Sequence, residues 1–158
     1  MRSAIEQRLA ARGLELPPAP APAANYVPYT ISGKLIFVAG QLPFQGGQVA
    51  VSGRLGAEVS VAQGQAAARI CALNLLAQAR AACRGDLGRL ARCLKLGGFV
   101  ACTPEFTDHP AVINGFSELM KDVFGEECGI AARSAFGANS LPAGMAVEIE
   151  AIFELHPA

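Results

Sequence analysis

The chain has 158 residues, of which 52% are apolar and only 16% charged, and its 13 basic and 13 acidic side chains cancel. That length suits one domain able to bury its own core, whereas the charged fraction lies below the roughly 25% of an ordinary soluble chain, so a closed assembly that hides one apolar face is expected. Neutral balance, the absence of Trp and the scatter of the arginines weigh against a nucleic-acid partner, and no run approaches the ~18 apolar residues of a membrane span.

Ser3-Ala4-Ile5-Glu6 is a capping box that opens a short helix with Ile5 and Leu9 on one side and Gly13 as its stop. Prolines 17, 18, 20 and 22 follow, and a segment so poor in backbone donors forms an extended strap. Residues 1–24 thus read as an appended helix and strap, and 25–158 as the single domain. No continuous apolar run follows Arg2 and Arg12, so a signal peptide is not expected.

Residues 26–31 and 34–41 are β-rich runs around a Ser32-Gly33 turn, and the apolar run from Leu35 to Ala39 marks a central strand. Gly40 at its end signals a bulge, a bend or a close backbone approach by a ligand. A turn at residues 45–48 leads to a third short strand at 49–51. Ser60-Val61-Ala62-Gln63 opens a long alanine-rich helix ending near Cys83. Residues 92–102 form the next strand, in which Gly97-Gly98 implies a bulge or a close crossing. Thr107 or Asp108 caps a second core helix running to Gly125, with Asn114 on it.

The last stretch reads as a β-hairpin whose arms, 132–137 and 145–155, are joined through Leu141-Pro142-Ala143-Gly144. Strict alternation puts Val147, Ile149, Ala151 and Phe153 on one face and Glu148, Glu150, Ile152 and Glu154 on the other. The element order predicts an α+β domain of two layers, a mixed β-sheet with two helices on one face. Its uncovered face is where subunits would meet.

Motifs for phosphate, dinucleotide or nucleophile-elbow chemistry are lacking. The cysteines, Cys71, Cys83, Cys93, Cys102 and Cys128, form no Cys-x-x-Cys pair, which fits a reducing, cytoplasmic setting. His109 and His156 are too few and too badly placed for a metal site or triad, and both are expected at the surface. What remains is Arg133 with Glu148. The arginine is either the mate of those glutamates in a cross-strand ion pair or a bidentate clamp for a ligand carboxylate, and the glutamate is able to orient or deprotonate a water.

Ala132-Arg133-Ser134, Leu141-Pro142 and Val147-Glu148-Ile149-Glu150-Ala151-Ile152 resemble the C-terminal signature of the YjgF-type Rid family, the reactive intermediate deaminases, also known as L-PSP endoribonucleases. Tyr26, the run from Phe37 through Gly40-Gln41-Leu42-Pro43, and Asn114 extend the likeness over residues 25–155, in the manner of the longer members with a helical N-terminal extension. The resemblance implies a chorismate-mutase-like homotrimer with clefts between subunits, hydrolysing 2-imino acids to 2-keto acids and ammonia without metal or cofactor. By position, Arg133 would clamp the substrate carboxylate and Glu148 would place the attacking water. Gly40 backbone would line the pocket, with Tyr26 and Asn114 completing its wall. Ala39 and Ala135 stand where many family deaminases carry serine and cysteine. Those two losses leave a non-catalytic binder of small carboxylates as the alternative, and a ribonuclease is disfavoured by the neutral charge.

Overall fold

The computed structural model describes residues 1–158. The elements in order are α1 (Ala4–Ala11), β1 (Tyr29–Ser32), β2 (Leu35–Gln41), β3 (Phe44–Gln45), β4 (Gln48–Val49), α2 (Val61–Ala82), β5 (Leu90–Ala101), α3 (His109–Phe124), α4 (Glu126–Gly129), β6 (Ala132–Ala138) and β7 (Val147–Leu155). Five strands form one sheet in the order β1-β2-β7-β5-β6, antiparallel except for the parallel pair β5 and β6. The expected two-layer α+β architecture is therefore present, with α2 and α3 on one face. The tight β3–β4 hairpin stands apart from that sheet, and Gly46 and Gly47 at its tip both take positive φ.

The expected closing hairpin is absent. β6 and β7 are not neighbours, because β5 lies between them, pairing parallel with β6 and antiparallel with β7. The reason lies in the connection: β5, α3 and β6 form a strand-helix-strand unit, and a helical crossover returns the chain parallel to the strand it left. The turn at Pro142–Gly144 then carries the chain to the far side of β5. Gly97 and Gly98 sit in regular register, without a bulge. They serve close packing instead: a Cβ on Gly98 would lie 2.6 Å from the Ile113 side chain of α3, and one on Gly97 would lie 3.1 Å from Glu150 Oε1.

The core lies between sheet and helices. Val147, Ile149, Ala151 and Phe153 of β7 face α2 and α3 with Ile36, Leu96 and Val100, all buried. The helices cross where Gly64 meets Val112 and Gly115 meets the Gln65 backbone, positions at which a larger residue would hold them apart. Both expected capping boxes are present, Ser3 with Glu6 and Ser60 with Gln63. Asp108 occupies the cap position of α3 without a side-chain hydrogen bond.

α1 is more than an appendage. Ile5 and Leu9 belong to the main core cluster, Arg8 Nη1 donates to the Val123 carbonyl at 3.1 Å, and Arg12 pairs with Asp122 at 3.4 Å. The strap is tied down as well, since the buried Gln78 of α2 donates to the Pro20 carbonyl at 2.6 Å.

Candidate functional site

Two places collect the candidate residues, one on each side of the sheet. Arg133 is aligned with the buried Leu96 in the β5–β6 ladder, so it points to the helix side. There Nη1 donates to Ser117 Oγ at 3.0 Å and Nη2 to the Pro110 carbonyl at 3.4 Å, both on α3. Arg133 takes part in none of the three ion pairs of the chain, which overturns the cross-strand ion pair with Glu148. A guanidinium has five N–H donors, so three are left for a ligand. Asn114, half-buried one turn before Ser117, lines the same cleft of about 210 Å³ with Lys121, Ile130 and Ala131. Ala135, two residues along the same strand, shares the face of Arg133.

Glu148 lies on the open side. It is aligned with Phe99, and its β7 neighbours in sequence, Val147 and Ile149, point into the core. Next to it, β2 bulges: Val38 pairs with Ala151 and Gln41 with Ile149, so Ala39 and Gly40 are two residues set against Glu150 alone. The Glu148 carboxylate rests on the Cα of Gly40, in the space a Cβ would take. Gly40 thus sits in a bulge. Partial burial raises the carboxyl of Glu148 above its usual range, and the neighbouring charge of Glu150 adds to the rise.

A pocket of about 350 Å³ opens on this side, lined among others by Tyr29, Phe37, Ala39, Lys95, Glu150 and Ile152. Tyr26 lies outside both cavities, exposed in the turn before β1. Within one chain, Arg133 and Asn114 come together, and Glu148, Gly40 and Ala39 come together, but the two groups lie on opposite faces.

Ser117 escaped the reading of the sequence, although its position three residues after Asn114 places both on one helix face. Lys95 has no sequence signal of its own, since it meets this pocket only because β5 lies beside β7. His109 is half-buried, not a surface residue, and its Nε2 lies 3.4 Å from Cys102 Sγ. His156 is exposed as expected. Groups of three or more metal-ligating side chains are absent, and no helix is long and apolar enough to cross a membrane.

Residues 6–152 match the family model described as "YjgF/chorismate_mutase-like, putative endoribonuclease". Protein TCP17 of Trypanosoma cruzi is 49% identical over 144 residues, 91% of this chain and 89% of that protein. The crystal structure of Atu1372, a protein of unknown function from Agrobacterium tumefaciens, superposes with a TM-score of 0.90 at 51% identity, over 97% of this chain and 93% of that one. E. coli TdcF with bound serine is a more distant likeness, with a TM-score of 0.58 at 26% identity over 88% and 94% of the two chains.

Proposed function

The chain belongs to the YjgF/chorismate-mutase-like family, and from that premise we propose that it hydrolyses reactive 2-imino acids to 2-keto acids and ammonia. The observation that carries this reading is Arg133, a guanidinium held at the sheet edge by Ser117 and Pro110 and paired with no acid of its own chain. Such a group takes a carboxylate through two parallel hydrogen bonds. Bound next to Glu148, the imine carbon would receive a water whose proton passes to that carboxylate. That proton is passed to the imine nitrogen to give a carbinolamine. The remaining hydroxyl proton then travels by the same carboxylate to the nitrogen as the C–N bond breaks, leaving the keto C=O and releasing ammonia. A free imine hydrolyses readily, so orientation and one placed base suffice. Because Arg133 and Glu148 lie on opposite faces of one sheet, the reading requires each site to take them from two subunits, and we assign Tyr26, Gly40 and Asn114 to its wall. A homotrimer is the proposed assembly.

The test couples the protein to an amino-acid oxidase or a threonine dehydratase and traps the imine with semicarbazide. Wild type is expected to cut semicarbazone formation, and Arg133→Ala to abolish that protection. Several amino acids tried without protection would defeat the proposal. A second reading follows from Ala39 and Ala135, whose side chains offer no polar atom to a reacting group. It makes the protein a binder of 2-keto acids. Calorimetry separates the two: this reading expects binding without turnover, weakened about 10- to 100-fold by Arg133→Ala.

A further inference from the structure

Cys102, just beyond β5, and His109, the first residue of α3, are seven residues apart and take no part in the site described above. Their Sγ and Nε2 atoms are 3.4 Å apart, within reach for a proton to be shared between a nucleophile and a base. Phe106 packs edge-on against the imidazole at a centroid distance of 5.4 Å. On the other side the pair is backed by Gly137 of β6. A Cβ there would fall 2.6 Å from Sγ and 2.8 Å from Nε2, so only glycine lets sulfur and nitrogen meet at this point. Cys102 is buried at 9% exposure with His109 half-buried beside it, so only a small reagent would reach the sulfur.

We propose that Cys102 and His109 form a thiol–imidazole pair at which Cys102 is oxidised to a sulfenic acid by small hydroperoxides. His109 first takes the thiol proton. The thiolate then attacks the terminal peroxide oxygen: the S–O bond forms as the O–O bond breaks, and sulfur loses the two electrons that the peroxide gains. The departing oxygen takes the proton from the imidazolium and leaves as water or an alcohol. The other cysteines supply the contrast. Burial pushes the thiols of Cys71 and Cys83 up and that of Cys93 to about 12, which keeps them protonated. Cys128, half-exposed on α4, has no such imidazole beside it in the hydrogen-bond pattern and serves as an internal standard.

The test treats the intact chain with hydrogen peroxide and dimedone and follows the adduct at each cysteine by peptide mass spectrometry. Cys102 is expected to label several-fold faster than Cys128. His109→Gln should slow Cys102 by about tenfold or more and leave Cys128 unchanged. Gly137→Ala, which drives a methyl group between the pair and the strand, should act in the same direction. Continued protection of Cys71 and Cys93 verifies that each variant is folded. Labelling of Cys102 no faster than Cys128 in wild type, or at a rate indifferent to His109→Gln, overturns the proposal.

Discussion

Glu148 is the carboxylate whose ionisation the fold opposes, through partial burial first and the nearby Glu150 second. Its folded pKa is raised, so the stability it contributes is full below the ordinary carboxylate range and is lost as pH rises through the folded value. Glu148→Gln, which stays neutral, should therefore gain on wild type with rising pH. Because the group is half-exposed, screening limits the effect, and a Tm gain of about 1–3 °C near pH 8 that closes by about pH 4 is expected from thermal melts. An equal gain at both pH values would assign the effect to packing instead. At this scale the sequence was informative on position: alternation along β7 puts Glu148 on the open face and a glycine after a buried run marks a bulge at Gly40, and both are found. It was silent on Ser117 and on the Cys102–His109 contact, because both depend on where α3 crosses the sheet.

At the scale of elements, most helices and strands follow from caps, prolines and periodicity, and most of their boundaries fall within a few residues of those expected. The pairing of β6 did not follow. Alternating residues in β7 are equally consistent with a hairpin partner or with β5, and only the helix between β5 and β6 decides it, by forcing them parallel. α1 carries a similar lesson: a short amphipathic helix before a proline strap looks expendable, yet Ile5 and Leu9 are buried against the same core as α3. Leu9→Ala should accordingly cost about 2–4 kcal/mol in urea denaturation, as expected for a truncated core leucine. A change within about 0.5 kcal/mol, the range of a surface substitution, would mean that α1 only rests on the domain.

For the whole molecule, the decisive geometry is that one face of the sheet is covered by helices and the other is not. The open face carries Phe37 at 40% exposure and Phe136 at 49%, the latter packed edge-on against Phe99 at 5.0 Å. Apolar area of this kind, together with the low charged fraction, is what a subunit contact would cover. The opposed placement of Arg133 and Glu148 then makes a prediction about catalysis. Arg133→Ala and Glu148→Gln should each be inactive alone in the imine-trapping assay. Co-expressed in equal amounts, they form mixed assemblies, and a site built from two subunits has both native residues in about one case in four when copies associate at random. Activity should therefore return to roughly a quarter of the wild-type value. A site built within one chain gives no recovery at all, since every chain then lacks one of the two groups. Phe136→Glu supplies the complementary arm: charging the open face should shift light scattering towards monomer and remove turnover while leaving Arg133 and Glu148 unaltered. Full activity in a monomer would show that Glu148 is not the base that Arg133 serves.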